Sequence, residues 1–375
     1  MVNLDGMRTG SLDLDDVEEL IDADVDGLLP TVALAGAQVR AVAEAQREGV
    51  LEPLKQLRPR SVVIVCSPTG AAAPAAALVT AAVGARVDVP IVCASVLPGW
   101  IGPLDVVVIA GDDAGDMMLA DAAARSLRRR AEVVVAAPIE GPLREALGGN
   151  GIDLSPRVGV DPRFRFPGFV AALLAVVVSL SQVRFTGRAP GLADLADAID
   201  AEAGANHPRQ ESFHNLAKAI AGRLDGRSIL WVGDSAATAV VAAQASRALV
   251  ALAGVISATA EIGDVMRLHR EFSARTGSAP TDSIFYDPDF DGPAAEAPPR
   301  VMAVTTPARD WYLRRRLDGI GDLDVLTGES GTPTPPSPTQ MPDEAAADAP
   351  ADIEALLVLV LRIEMAAVYL RLIRT

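Results

Sequence analysis

The 375-residue chain is half hydrophobic but only 4% aromatic, so its core has to be assembled from Ala, Val and Leu. That composition suits helices packed on parallel strands, which are buried on both faces and read as continuous apolar runs. The formal charge of −16 argues against nucleic acid or an anionic membrane surface as a partner.

Residues 12–57 read as amphipathic helix ahead of the first strand. An acidic amino-terminal stretch without an apolar core predicts a soluble, cytoplasmic protein. Residues 60–72, RSVVIVCSPTGAA, give Arg-Ser, a run of strand formers, a small-residue turn and the start of an alanine-rich helix. Residues 227–239, RSILWVGDSAATA, repeat that plan. The first half continues through DVPIVCASV, DVVVIAGD and AEVVVAAP, with the helical MMLADAAARSLRRR between the last two. The second half continues through DSIFYDP, RVMAVTTP and LDVLTGE, with ARDWYLRRRLDGIG in the matching place. Strands alternating with helices form βαβ units on a parallel sheet, and two such sets predict two similar α/β domains in tandem. Their expected extents are 1–190, including the leading helices, and 200–375. A capped helix over Ala189–Ala205 is expected to join them.

Two segments invite comparison with membrane spans. Phe169–Val183 is too short, and Ile353–Ile373 is interrupted by Glu354, Arg362, Glu364 and Arg371. Both are expected as buried helices, the second as a terminal helix over 352–375. Residues 328–350, rich in Pro, Thr and acid, are expected as a mobile loop. The two cysteines, Cys66 and Cys93, are too few for a disulfide framework or a zinc cluster and read as core thiols.

The stretch DVVVIAGDDAGDMML (Asp105–Leu119) reads as strand, turn and first helical turn. A helix amino terminus, with free N–H groups at the positive end of the dipole, is a phosphate site, yet this one carries Asp112, Asp113 and Asp116. Each carboxylate about 5 Å from a phosphate costs about 3 kcal/mol at an effective dielectric of about 20. Phosphate at this turn therefore requires an intervening cation. The plainer expectation is that Asp112 or Asp113 is an N-cap. Ser67 and Thr69 in the first turn, and Ser235 and Thr238 in the second, sit where strand meets helix, the edge at which open α/β sheets bind ligands. DADVDG (Asp22–Gly27) and DPDFDG (Asp287–Gly292) resemble the start of a calcium loop, but position twelve holds Ala33 and Pro298 in place of Glu. No metal site is expected.

Three stretches carry a family resemblance. NLAKAIAGRLDGRSILWVG (Asn215–Gly233) is similar to an Asn-Pro-Ala-Lys motif followed by a helix and a strand ending in Gly, and Lys218 is one of only two lysines. LVLRIEMAAVYLRLI is similar to a terminal Leu-Gly-Asp-Phe-…-Tyr-Leu segment, with Glu364 in place of the Asp. RLHREF offers His269 and Glu271 against His-Asn-Glu. With its tandem domains, the chain thus resembles the bifunctional phosphoglucose/phosphomannose isomerases, which carry two sugar-isomerase (SIS) domains, and among them the divergent actinobacterial TobH-like branch.

The resemblance implies flavodoxin-like αβα domains, a homodimer, no cofactor, and aldose–ketose isomerisation of a phosphohexose. That reaction needs donors for the phosphate, a base to move a proton between C1 and C2, a group to assist ring opening and a cation for the enediolate. The expected catalytic set is His269, Lys218 and His214, with Glu261 the nearest upstream carboxylate for the base. The expected substrate-binding set is Ser67, Thr69, Asp112, Asp113, Arg165, Asn215, Ser235 and Thr238. The chain departs from the family in three places. The Ser/Thr-rich phosphate loop falls on Ala110–Met117, the Pro-Arg before the apolar helix falls on Pro167-Gly168, and the base falls on Ala253. Arg163 and Arg165 lie close enough to replace the arginine. The expectation is a protein binding a phosphorylated sugar with a degenerate isomerase site, or alternatively a non-catalytic sensor of a sugar derivative or a partner subunit.

Overall fold

A computed structural model describes residues 12–188, 190–276, 298–329 and 352–374. The first sheet has the spatial order β2 (Ile91–Ala94), β1 (Ser61–Cys66), β3 (Asp105–Ala110), β4 (Glu132–Ala136), β5 (Ile152–Asp153), every pair parallel. Strands β1 and β3 are buried at every position, which is what their unbroken Val/Ile runs mean in a sheet covered on both sides. The second sheet has the order β7 (Ala258–Ala260), β6 (Ile229–Gly233), β8 (Arg300–Val304), β9 (Leu323–Leu326), again all parallel. Among the described residues it repeats the first sheet without a fifth strand. The two sheets make tandem flavodoxin-like α/β domains, and in each the strand order reverses beside its first strand, leaving a crevice at the carboxyl ends of β1/β3 and of β6/β8.

Alternation along the strands feeds three cores. One runs continuously from Val62, Ile64, Val106 and Val108 to Trp231, Met302 and Val304 of the second sheet. Between them it passes through α4 (Ala72–Val83), α7 (Phe166–Ser179), α8 (Leu192–Ala205), α9 (Leu216–Leu224), α10 (Ala236–Ala248) and the terminal helix (Ile353–Arg374). The outer faces make smaller cores. Val63, Val65 and Val107 pack on α5 (Met117–Arg128) and α6 (Gly141–Leu147), while Val232, Val301 and Ala303 pack on α11 (Ile262–Thr276) and on Leu313. The domains are therefore fused through a common helical layer.

Several expectations need correcting. DSIFYDP lies outside the described residues, as do DPDFDG and all of 328–350 except Gly328 and Glu329. Among the described residues, the strand beside β6 on its outer side is the three-residue β7, exposed at Ala258 and Thr259. The leading helix is broken into α1 (Val17–Ala23), α2 (Leu28–Val32) and α3 (Ala35–Arg47). At the first break the Asp24 carboxylate accepts from the Leu28 and Leu29 N–H groups, both at 2.8 Å, so the DADVDG acids serve a helix start. Helix α8 starts at Leu192 with no side-chain cap. Cys66 is buried, but Cys93 is exposed on edge strand β2. Both apolar segments are buried helices, as expected. The stretch Ala236–Ala253 is long and apolar enough to cross a bilayer, and half of it is buried in the shared core.

Candidate functional site

The crevice of the first sheet is built from two turns. The β1–α4 turn brings Ser67, buried, and Thr69, exposed, within 3.2 Å of each other through their hydroxyls. Gly70 then takes φ +82°, a conformation that disfavours any side chain, and the Asp112 carboxylate lies where its Cβ would be, with Oδ2 at 2.4 Å from that position. From there Asp112 accepts from the Ala71 N–H at 3.4 Å and from Arg165 Nη1 at 3.2 Å. Arg165 ends the short turn ahead of α7, and its side chain is 21% exposed. A cation does intervene at the acidic turn. It is Arg165, and the anion it holds is the chain's own.

The other acids of that turn have local duties. Asp116 is the N-cap of α5, accepting from Met118 N–H at 2.8 Å and Leu119 N–H at 3.4 Å. Asp113, exposed, accepts from Gly115 N–H at 2.8 Å. The N-cap expected at Asp112 or Asp113 is thus Asp116, because the helix starts at Met117 and only the residue before that point can reach its free N–H groups. Beside the crevice a narrow cleft opens between α3 and α7, lined by Gln38, Leu154, Arg157, Arg165 and Phe169. Gly168, where the resemblance places an arginine, lies against Gln38. A Cβ there would come within 2.8 Å of Gln38 Oε1, so a side chain at this position requires Gln38 to shift.

The second crevice closes on itself. The Asp234 carboxylate, fully buried, accepts from Arg309 Nε at 2.7 Å, Thr305 Oγ1 at 3.1 Å and Thr238 Oγ1 at 3.0 Å. Ser235 caps α10 in a reciprocal box with Thr238. Ser235 and Thr238 are therefore held by Asp234 and by the helix start. They do not share a crevice with Ser67 and Thr69. Gly70 meets Arg247 at the far end of α10, nine residues or about 14 Å beyond Thr238.

The expected catalytic residues are dispersed. Lys218 is 1% exposed, and its ammonium donates to the carbonyls of Pro208 and Gln210, both at 2.7 Å. Burial lowers its pKa, opposed by Asp15 and Asp13. Asn215 is the N-cap of α9, accepting from Lys218 N–H at 2.9 Å, and it donates to the His207 carbonyl at 3.2 Å. These two residues fasten the loop of residues 207–214 to α9. His214 is exposed at the end of that loop, with its ring 4.1 Å from that of Phe213. Glu261 follows β7 at the carboxyl end of the second sheet. His269, eight residues or about 12 Å along α11, lines a cleft with Leu230, Val301 and Asp322 at the opposite, amino end.

Two residues, Arg247 and Gln244, were absent from the sequence expectations. Arg247, in the last turn of α10, reaches the first crevice by donating from Nη1 to the Gly70 carbonyl at 3.2 Å. It also donates to Gln244, which in turn donates to the buried Glu364 of the terminal helix at 2.9 Å. Burial raises the Glu364 pKa to about 7, with the Gln244 bond and the Arg247 charge opposing the rise. The only sequence signal was an i,i+3 pair of long polar side chains in an otherwise apolar helix.

No protein-family model matches the chain, and no curated protein matches it in sequence. Solved structures do match along nearly its whole length. A candidate phosphosugar isomerase from Clostridium difficile 630 superposes with a TM-score of 0.58 at 10% identity, covering 92% of this chain and 93% of that one. The chain has the tandem SIS fold. Tagatose-6-phosphate ketose/aldose isomerase from Escherichia coli matches this SIS arrangement with a TM-score of 0.53 at 12% identity, over 95% and 92% of the two chains. The C-terminal domain of glucosamine-fructose-6-phosphate aminotransferase from Francisella tularensis matches it with a TM-score of 0.53 at 8% identity, over 97% and 98%. At these identities the likeness speaks for the SIS fold alone.

Proposed function

We propose that the protein binds a phosphorylated sugar or a sugar derivative in the first crevice, as a cofactor-free homodimer, without the proton transfer of an isomerase. The observation that carries this reading is the Arg165–Asp112 pair beside Ser67 and Thr69. A carboxylate and two hydroxyls suit the hydroxyls of a sugar ring, and a guanidinium suits its anionic group. They stand at the switch point of a SIS fold, where open α/β sheets take their ligands. The dispersal of Lys218, His214, Glu261 and His269 supports binding over turnover, because a general base and its partners act only within hydrogen-bond reach of one substrate.

Calorimetry with glucose 6-phosphate, mannose 6-phosphate and fructose 6-phosphate, paired with NMR of their C1 and C2 protons in D₂O, tests both halves. Saturable binding that Arg165→Ala abolishes, with no deuterium wash-in, is the expected result. Wash-in above a protein-free control would overturn the non-catalytic half. No binding of any of the three sugars would overturn the reading itself.

A further inference from the structure

Arg165 and Arg309 each face a carboxylate at ion-pair distance, 3.2 and 2.7 Å away. Arg247 does not. Among the described residues its guanidinium has hydrogen-bond partners, all of them neutral: Gln244 Oε1, reached from Nε at 3.1 Å and from Nη2, and the Gly70 carbonyl, reached from Nη1 at 3.2 Å. Those bonds use three of its five N–H groups. Burial lowers its pKa, and the charges of Glu364 and Asp112 act on it only from a distance. A partly desolvated cation held in place without a counter-ion is costly unless something anionic completes it.

Its surroundings hold it at the crevice. Glu364, fully buried, accepts from Gln244 Nε2, which turns the amide oxygen of Gln244 towards the guanidinium. The Gly70 carbonyl at the other end belongs to the turn that carries Ser67 and Thr69 and receives Asp112. A side chain of the second domain is thereby fixed against the exposed ligand-facing turn of the first.

We propose that Arg247, oriented by Gln244 and Glu364 and placed against the Gly70 turn, is the second domain's contribution to the crevice and binds the anionic group of a phosphate monoester. The assignment rests on the crevice being a sugar-ligand site. It divides the work there: Asp112, Ser67 and Thr69 take hydroxyls, and Arg247, held on the Gly70 carbonyl, joins Arg165 in taking the phosphate.

The test is calorimetric titration of the full chain with fructose 6-phosphate, inorganic phosphate and fructose. It is run on the wild type, Arg247→Gln, Arg247→Lys and Arg165→Ala, with the fold of each checked by circular dichroism. Glutamine stays polar but removes the charge and is too short to keep the bond to Gly70. It is expected to weaken fructose 6-phosphate about tenfold or more, to weaken inorganic phosphate likewise and to leave fructose unchanged. Lysine keeps the charge without the fork and is expected to fall between. If Arg247→Gln fails to fold, that graded loss in Arg247→Lys decides. Unchanged fructose 6-phosphate binding in both Arg247 variants, with loss in Arg165→Ala, overturns the assignment and leaves the crevice reading standing. Absence of binding by the wild type overturns both.

Discussion

Glu202 and Arg362 meet as a two-pronged pair sealed between α8 and the terminal helix. Nε lies 2.6 Å from Oε1 and Nη2 lies 3.0 Å from Oε2, with the side chains 1% and 4% exposed. Asn206 donates to the same carboxylate at 2.5 Å, and the Tyr369 hydroxyl donates to the Asn206 carbonyl at 2.7 Å. Removing one charge strands the other in the core, typically at a cost of about 3–5 kcal/mol, whereas replacing both by apolar groups costs far less. Arg362→Met is expected to destabilise by about that amount, and Glu202→Leu/Arg362→Met by less than Arg362→Met alone. Urea unfolding of the three proteins checks this. A double variant less stable than Arg362→Met alone would show that the two residues are not coupled in this way.

Lys218 belongs to the same buried layer, and its ammonium lies 5.8 Å from the centre of the Tyr369 ring. Its bonds to the Pro208 and Gln210 carbonyls are charge-assisted and shielded from water, so truncation strands two buried acceptors. Lys218→Met is expected to lose about 2–4 kcal/mol and to raise amide exchange in residues 207–214 before the rest of the chain. An unchanged melting temperature would return Lys218 to the list of ligand-facing residues.

The sequence disclosed those parts of the fold whose signal is local. Strands β1, β3, β4, β6 and β8 announce themselves because parallel strands covered on both faces must be apolar throughout. The glycine ending β6 was legible as a motif, and its reason is packing: a Cβ at Gly233 would lie 2.3 Å from the Ala239 amide nitrogen. Strand β7, three small residues on an exposed edge, carries no such pattern. The crevice was half legible. Ser67, Thr69 and Asp112 could be named from strand–turn–helix positions, and Arg165 from its place beside the Pro-Arg of the resemblance. Arg247 and Gln244 could not, because their association with Glu364 depends on how α10 and the terminal helix pack, 120 residues apart in the chain at the Gln244–Glu364 bond. The Lys218 motif was visible too, but its chemistry was set by a loop folding back over α9, which spacing does not encode.

The two thiols should differ sharply in reactivity. Cys93 is exposed on edge strand β2, while burial pushes the Cys66 thiol up to about 12. Thiolate is the nucleophile, so native protein at pH 7.5 is expected to take up one equivalent of maleimide, at Cys93, and a second only on unfolding. Peptide mass mapping reads the site directly, and labelling of native Cys66 would contradict its burial.

Gly168 and Gln38 form a fitted pair. Gln38 Nε2 donates to the Phe164 carbonyl at 3.0 Å, while its Oε1 and Cβ lie 2.8 and 3.4 Å from where a Cβ on Gly168 would stand. Gly168→Ala is expected to cost about 1–2 kcal/mol, the clash outweighing the gain of about 1 kcal/mol in helix propensity. In a Gln38→Ala background the clash is gone and the same substitution should become stabilising. Thermal unfolding of the four proteins in the cycle measures the sign change. A loss of equal size in both backgrounds would mean that Gln38 is not the obstacle.

Glu364 makes stability depend on pH in a direction opposite to that of most carboxylates. Burial raises its folded pKa to about 7, from the 4.5 of an exposed glutamate. Between those values the folded protein keeps a proton that the unfolded chain has released. The stabilisation from that difference is complete below the unfolded pKa and is lost as pH rises through the folded one. Glu364→Gln is isosteric, still able to accept from Gln244, and cannot titrate. It should match the wild type closely near pH 4, and its stability advantage should grow by about 2–3 kcal/mol between pH 5 and pH 8. Taking the difference between variant and wild type at each pH cancels the other titrating groups, whose environments the substitution leaves alone. Urea unfolding at pH 5, 6, 7 and 8 provides the curve. A flat difference would mean that Glu364 ionises normally and that the polar chain through Gln244 to Arg247 is more open to water than its geometry indicates.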